Sequence, residues 1–192
     1  MKKIIKNTVL GLTGLFVLLL VAGSIVGSSA NIHVETHIDA PADKAWDILG
    51  RQFVGIDTWS STVESSRVAT QADYSVDIVP ARNAPVPGRV TVSKLVEATE
   101  ILLDYSDEQR DFTFVATGLP SFMVTSMKNH SQIVAHGIDK SAVVFDIELV
   151  FTRPFFFMKY VMANRMQKTF GLLQGELKTY AETGKIAGTL AH

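Results

Sequence analysis

The sequence predicts an α+β fold in which a curved antiparallel sheet of about six to seven strands wraps around one long C-terminal helix, behind an N-terminal hydrophobic helix. Three observations predict this class. Residues 154–182 place apolar side chains at helical spacing along one face. Residues 89–151 contain strand-like runs that short polar turns connect. Residues 9–26 are uncharged and strongly apolar.

The N-terminal segment has two interpretations. Three lysines within the first six residues precede an uncharged run over residues 7–31. Its apolar centre, residues 9–26, approaches the length of a bilayer span and favours a retained membrane anchor. Ser28 and Ala30 are small residues before a possible cleavage point, and they favour a signal peptide that is removed after Ala30. In both interpretations the lysines stay in the cytoplasm and the rest of the chain lies outside it.

These features predict three segments and a location. Residues 1–30 form the transmembrane anchor or signal peptide, residues 31–184 the folded domain, and residues 185–192 a flexible C-terminal tail. We expect a bacterial-type cell envelope, with the chain anchored in the cytoplasmic membrane and its domain outside the cytoplasm. Cleavage at Ala30 would instead give a secreted or periplasmic protein.

The composition limits the class of partner and the source of stability. The 192 residues include no cysteine, so the domain has no disulfide and its core must stabilise it. The net charge is -1, and removing the three N-terminal lysines leaves 15 basic residues against 19 acidic ones. The sequence shows no basic patch of the kind that binds nucleic acid, so nucleic-acid binding is not predicted.

The domain opens with a strand and two short helices. Apolar and polar residues alternate over residues 32–38, which is typical of a strand with one buried face. Pro41 suits the start of a short helix and Gly50 suits its end. A second helical piece is predicted over residues 52–58, closing on Trp59.

A long loop and a series of strands follow. Residues 62–70 are typical of a strand, whereas three prolines make residues 73–88 a loop, with a short extended piece at residues 75–79. Five more strands are predicted, over residues 89–96, 99–106, 111–117, 122–135 and 141–151. The last is the clearest, because its apolar residues point one way while Asp146 and Glu148 point the other.

The final element is the helix over residues 154–182. Pro154 suits its first turn and Gly184 the position just past its end. Consecutive strands that short turns connect form a meander, and this helix is the element available to cover the meander's apolar face. A hollow between sheet and helix is therefore expected.

Several stretches resemble the SRPBCC superfamily of helix-grip, START-like proteins, and in particular its polyketide cyclase/dehydrase-like family. The matching pieces occur in the family's order: IDAPADKAWDIL at 38–49, Trp59, VESSRV at 63–68, GRVTV at 88–92, LLDY at 102–105 and GLL at 171–173. The resemblance spans about residues 32–184, and its motifs mark fold rather than chemistry. It implies a cavity for a hydrophobic molecule, or cyclase or dehydratase chemistry in that cavity. The proline-rich loop departs from the family pattern.

Motifs for catalysis and for cofactors are lacking, so no catalytic residue, cofactor or metal site is predicted. The chain has no GxSxG, P-loop or GxGxxG motif and no cysteine nucleophile. His33 and His37 lie about 13 Å apart on a strand, too far to share one metal ion. Asp146 and Glu148 lie on the face where solvated carboxylates are expected.

The methionines give the best indication of function. Apart from Met1, every methionine lies in the strand at 122–135 or on the final helix. Methionine suits an adaptable apolar cavity, although it also fills ordinary cores. Lys159 falls within the helix's apolar stripe, where it either meets a polar group of a ligand or extends to solvent. We predict that the cavity is lined by Trp59, Tyr105, Phe112, Phe114, Met127, Phe145, Lys159, Met162 and Met166.

We therefore expect a membrane-associated protein that binds a small hydrophobic molecule, such as a lipid, a quinone or a polyketide-like compound. The N-terminal helix would supply the contact with the membrane. One alternative is a cyclase- or dehydratase-type enzyme that uses the same cavity. A further alternative is an envelope interaction module without a ligand. The sequence leaves the ligand and the oligomeric state open.

Overall fold

A seven-stranded antiparallel sheet organises the chain. The computed structural model describes residues 2–94, 96–119 and 123–187, of which residues 2–7 and 9–11 are described by their backbone alone. The sheet has the order β1-β7-β6-β5-β4-β3-β2. The strands are β1 Ser29–Ile38, β2 Ser65–Val68, β3 Gly88–Val92, β4 Glu97–Ser106, β5 Asp111–Thr117, β6 Val124–Ala135 and β7 Ser141–Phe151.

Strands β2 to β7 form the predicted meander, in which each strand pairs with the next along the chain. The first strand lies beside the last, with a register that runs from Ser29 opposite Val150 to Ile38 opposite Ser141. The sheet therefore ends at β1 on one side and at the short β2 on the other.

Three α-helices accompany the sheet: α1 Lys2–Val26, α2 Ala42–Trp46 and α3 Met158–Thr183. A π-helical turn, Asp47–Arg51, and a 3-10 helix, Phe53–Thr58, follow α2. The last helix starts later than predicted, because Arg153–Phe155 form a separate 3-10 turn with Pro154 at its start. It ends as predicted at Gly184, whose φ of 71° lies in the left-handed region that glycine adopts readily.

The core lies between one face of the sheet and the helices, and we call this face the inner face. Its residues are buried: Leu102, Tyr105, Phe112, Phe114, Met127, Ile133, Phe145 and Ile147. Phe53 packs against Phe112 with ring centroids 5.2 Å apart, and Trp46 lies 5.5 Å from Tyr105. Burial of each such aromatic side chain contributes about 1.5–3 kcal/mol, so these contacts fix the helices after β1 against the sheet.

A buried ion pair joins this core to β3. Arg89 donates from Nε to Glu100 Oε2 at 2.7 Å and from Nη1 to the Phe53 carbonyl at 2.5 Å. Its guanidinium also lies 4.1 Å from the centre of the Phe53 ring. The charge is therefore paired and hydrogen-bonded, as a buried arginine requires.

The proline-rich segment is a loop, as predicted, but the short extended piece at residues 75–79 is not formed. The loop contributes Tyr74 and Ile78 to a second, smaller cluster around Ala69, Val90 and Ile101. Since Val90 and Ile101 point away from the inner face, the loop covers the opposite side of β3 and β4.

The C-terminal helix covers one side of the sheet rather than its middle. It packs mainly against β1, with further contacts to β7 and α2. Its buried residues, Gln174, Leu177 and Ala181, all belong to its C-terminal half. In its first half the apolar side chains that pack against the core are only partly buried: Met158, Met162, Ala163, Met166 and Phe170.

The N-terminal helix packs against the turn before α3. Gly23 lies against the Arg153 carbonyl so closely that a Cβ atom there would clash with it. Among the described residues, no helix has the length and apolar content needed to cross a membrane. The predicted membrane anchor therefore stays a prediction. The predicted segment boundaries stay a prediction, and residues 188–192 of the predicted tail lie outside the described residues.

Candidate ligand site beneath the C-terminal helix

Most of the predicted cavity residues come together on the inner face or beside it. Six are buried in one continuous core cluster: Trp59, Tyr105, Phe112, Phe114, Met127 and Phe145. Met162 and Met166 of α3 are partly buried and pack against that cluster. Their role in ligand binding stays a prediction.

Lys159 has a different position from the other predicted lining residues. Its Nζ donates hydrogen bonds to the carbonyls of Gly27 at 3.0 Å and Val26 at 3.3 Å. These carbonyls lie at the C-terminal end of α1, where a positive charge is favourable. The amino group therefore caps the first helix. The sequence had predicted instead that Lys159 meets a polar group of a ligand or extends to solvent.

Side chains of α3 pack against the core cluster in the region where a hollow was predicted. Met158, Met162, Met166, Phe170 and Leu173 pack against the core cluster. A cavity of about 310 Å³ lies at the ends of β5 and β6 near Ile78, and one of about 350 Å³ lies on β1 and β7. Neither of these two cavities is lined by α3.

The C-terminal half of α3 is attached to β1 by polar contacts. The Gln174 side chain accepts from Thr36 Oγ1 at 2.8 Å and donates to the Val34 carbonyl at 2.9 Å. Lys178 donates to the His37 carbonyl at 2.8 Å. These bonds lie along the second half of β1 and fix the helix to the edge of the sheet.

Further contacts strengthen this attachment. Glu176 accepts from Ser60 Oγ at 2.8 Å and from both the backbone and the hydroxyl of Ser61. Glu182 accepts from the Asp39 backbone amide at 2.7 Å. The C-terminal half of the helix is therefore attached to β1, to the segment after it, and to the loop after Trp59.

The N-terminal half of α3 has apolar contacts with the sheet. Phe170 meets Phe145 edge to face, with ring centroids 6.0 Å apart. Within the described part of the chain, no side chain of residues 160–173 forms a hydrogen bond or ion pair with the sheet. Apolar contacts lack the directionality of hydrogen bonds, so this half can separate from the sheet without leaving a polar group unpaired.

Two polar residues lie within the apolar inner face. Asn129 and Ser131 of β6 are 2% and 1% exposed. Asn129 Oδ1 and Ser131 Oγ have no hydrogen-bond partner among the described residues, and the same holds for the indole nitrogen of Trp59. Sequence reasoning missed this pair. The sequence pattern could have revealed them, because residues 127, 129, 131 and 133 alternate along the strand and therefore share the buried face.

An acidic residue at the β4–β5 turn fixes α2 to the sheet. Asp107 Oδ1 accepts from Arg51 Nε at 2.8 Å and from Trp46 Nε1 at 2.7 Å. The hydrogen bonds from Arg51, followed by that from Trp46, lower the pKa of Asp107 to about 2. Burial raises the pKa of the neighbouring Tyr105 phenol. Neither group is suited to exchange protons near neutral pH.

Of the four described histidines, His33, His37 and His136 are exposed, and His130 of β6 is partly buried. His33 contacts Asp146 at 2.7 Å, and His130 contacts Thr113 at 3.1 Å. Asp146 and Glu148 are exposed, as expected. His37 approaches His136 rather than His33, and with Glu35 they offer ligand atoms that lie within 4.8 Å of one another. This group of three exposed side chains could hold a metal ion, in a combination that strand spacing alone did not predict.

The chain belongs to the family described as polyketide cyclase / dehydrase and lipid transport, whose pattern matches residues 29–182. This agrees with the resemblance to SRPBCC proteins. No curated protein matches the chain.

Solved structures show the same fold at low identity. A START superfamily protein from Mycobacterium smegmatis is 12% identical, with a TM-score of 0.56 over 78% of this chain and 97% of its own. Norcoclaurine synthase from Thalictrum flavum, solved with dopamine and hydroxybenzaldehyde, is 15% identical, with a TM-score of 0.56 over 79% and 85%. The ZhuI aromatase/cyclase from Streptomyces sp. R1128 is 12% identical, with a TM-score of 0.55 over 83% and 99%. The sheet and its C-terminal helix fit the helix-grip fold. Family and fold support a role in hydrophobic-ligand binding or in cyclase chemistry.

Proposed function

We propose that this protein binds a small hydrophobic molecule between the inner face of the sheet and the N-terminal half of α3. The observation that carries the proposal is the unequal attachment of this helix. Polar contacts attach its C-terminal half to β1 and the loop after Trp59, while its N-terminal half presents methionines and Phe170 to the aromatic inner face. Methionine side chains adapt to guests of different shape.

The proposal includes movement of the N-terminal half of α3, and the sequence of this helix provides positions where it can bend. Gly171 lies where the attached half meets the half with apolar contacts, and Gly175 lies one turn further on, between the attached residues Gln174 and Glu176. A Cβ atom at Gly171 would meet only Val34 Cγ1 at 4.0 Å, and one at Gly175 would meet nothing within 4 Å. Close packing therefore does not explain either glycine. Each lowers helix stability by about 1 kcal/mol relative to alanine, which eases bending between the two halves.

The proposal is tested with the full chain. Protein purified from its host is extracted with organic solvent, and apolar compounds in stoichiometric amount are identified by mass spectrometry. Met162→Trp and Met166→Trp enlarge side chains that face the inner core, so we expect them to displace the compound. Leu172→Trp is the matched control, because this residue of the same helix is 69% exposed.

If the same amount of compound co-purifies with all variants, the compound binds elsewhere, and this result contradicts the proposed site. Protein that is empty after purification and binds no added apolar probe contradicts the proposed function, and favours the ligand-free interaction module. Circular dichroism spectra of the variants must match that of the parent protein for the comparison to hold.

A cyclase- or dehydratase-type activity is the second candidate. The family description and the aromatase/cyclase among the similar structures favour it. Such chemistry needs an acid or base in contact with the substrate. Arg89 and Glu100, whose side chains are largely buried beside the core, are paired with each other. Turnover of an aromatic polyketide that is lost in Glu100→Gln would favour the enzyme over simple binding.

A location outside the cytoplasm and a contact of the N-terminal segment with the membrane also stay proposals. The uncharged run after the three lysines supports them. Cell fractionation and the intact mass of the native protein test them together. A mass that lacks residues 1–30 would indicate cleavage at Ala30, whereas a full-length chain in the soluble cytoplasmic fraction would contradict both.

A further inference from the structure

The polar pair Asn129 and Ser131 lies at the middle of the inner face. Its strand, β6, is third in the order of the seven strands. Side chains alternate across a strand, so Met127, Asn129, Ser131 and Ile133 share one face, and all four are buried. Two polar residues therefore occupy positions where the pattern of the sheet calls for apolar ones.

Aromatic residues surround the pair on the neighbouring strands. Asn129 lies opposite Phe114 of β5, and Ser131 lies between Phe112 of β5 and Phe145 of β7. Cross-strand neighbours of this kind have Cβ atoms about 5 Å apart. Phe145 in turn touches Phe170 on the N-terminal half of α3. Ser131 is thus the cross-strand neighbour of a residue that the N-terminal half of α3 contacts.

Several other buried polar groups of the described residues have partners, although Trp59 Nε1 and Ser66 Oγ, like this pair, have none. Gln174 is bonded to Thr36 and Val34, and the Ser141 hydroxyl donates to the Ala40 carbonyl. Asn129 Oδ1 and Ser131 Oγ are exceptions within the same core. A buried polar atom without a partner destabilises a fold, so a ligand group that bonds to it would be favoured at this position.

We infer that the bound molecule is a hydroxylated hydrophobic compound, a phenol or an alcohol, whose hydroxyl group bonds to Asn129 and Ser131. This inference rests on the proposed binding site. An amide oxygen accepts a hydrogen bond and a serine hydroxyl can donate one, so a single hydroxyl can donate to the first and accept from the second. Adjacent same-face residues of a strand lie about 7 Å apart, which allows one group to reach both.

Matched probes test this selection on the full chain. 2-Naphthol and 2-methylnaphthalene have similar size, and only the first carries a hydroxyl group. Titration followed by probe fluorescence should show that 2-naphthol binds about 10- to 100-fold more tightly, the range expected when buried polar groups gain or lose their partner. In Asn129→Leu/Ser131→Ala the ratio should fall close to one, while 2-methylnaphthalene binds at least as tightly as before.

Two controls keep the test decisive. Gln132→Leu changes a polar residue of the same strand on the opposite face, and it should leave the ratio unchanged. Ser131→Ala alone removes one hydroxyl with little change in volume, so it serves if the double variant folds poorly. It should lower the ratio of the affinities for 2-naphthol and 2-methylnaphthalene. Because it removes an unpartnered group, its melting temperature should equal or exceed that of the parent protein.

The outcomes separate this inference from the proposed function. Equal affinity for both probes overturns the inference and leaves the hydrophobic site standing. A ratio that persists in Ser131→Ala and in the double variant places the selection elsewhere, and it also overturns the inference. If neither probe binds, the proposed site and the inference fail together.

Discussion

Replacement of Gly171 and Gly175 by alanine tests whether α3 bends between its two halves. Both residues lie in the interior of the helix, where alanine is favoured over glycine by about 1 kcal/mol. No steric clash offsets this gain. A Cβ atom at residue 171 would lie 4.0 Å from Val34 Cγ1, and one at residue 175 would have no neighbour within 4 Å. The double variant should therefore be stabilised by about 2 kcal/mol.

That gain has two measurable consequences. For a domain of this size, each kcal/mol raises the melting temperature by about 2–4 °C, so an increase of about 4–8 °C is expected. If opening of the site disrupts the helix at these positions, the two substitutions raise the free energy of the open state relative to the closed state by the same amount, about 2 kcal/mol. The population of the open state then falls about 30-fold. Uptake of 2-methylnaphthalene, followed by stopped-flow fluorescence, should slow accordingly.

Asn164→Ala is the control, because it also replaces a weaker helix former by alanine, at an exposed position within the N-terminal half of α3. It should raise stability slightly and leave the uptake rate unchanged. A double glycine variant that is more stable yet takes up the probe at the parent rate would refute bending at these positions. A less stable variant would refute the conclusion that both positions have room for a methyl group.

Three further predictions concern the polar contacts that hold the fold. The bonds from Arg51 and Trp46 lower the pKa of Asp107 from 3.8 to about 2, so this carboxylate stabilises the fold above its unfolded pKa and loses that effect as the pH falls toward 2. Asp107→Asn should make acid unfolding, followed by circular dichroism, less steep in that range; an unchanged curve would contradict the assignment. Arg89→Met should cost about 3–5 kcal/mol in urea unfolding, because Glu100 loses its partner in the core, and Arg89→Met/Glu100→Leu should recover most of this loss. Lys159→Met should speed amide hydrogen exchange at the end of α1, whereas exchange at the parent rate would show that the cap has no effect.

Much of the fold followed from local patterns. Strands β5 and β7 match their predicted bounds, because strict alternation and polar turns define a strand without reference to its neighbours. The pairing of β1 with β7 did not follow, since it joins residues more than 100 positions apart in the chain. The start of α3 was also misplaced, because Pro154 suits the first turn of a 3-10 helix as well as that of an α-helix.

The candidate site was predicted less completely, for a related reason. Apolar residues such as Phe112 and Phe145 follow from the period of their strands, which places them on the buried face. Lys159 was assigned to the cavity from its angle on α3, but the end of α1 lies close enough to bind it. Asn129 and Ser131 have no apolar character to draw attention, and only the pairing of three strands shows that aromatic residues surround them.

The unpartnered polar pair and the apolar contacts of α3 are independent observations that meet where Phe145 touches Phe170. Each unpartnered group costs about 1–3 kcal/mol, a large share of the 5–15 kcal/mol that stabilises a typical domain. A ligand hydroxyl that bonds to both groups would remove this cost only in the bound state. At 100 times its dissociation constant, a ligand stabilises a protein by about 2.7 kcal/mol. Under those conditions 2-naphthol should raise the melting temperature by about 5–10 °C. At the same 2-naphthol concentration the increase should be smaller in Ser131→Ala, and an equal increase in both proteins would show that the hydroxyl binds elsewhere.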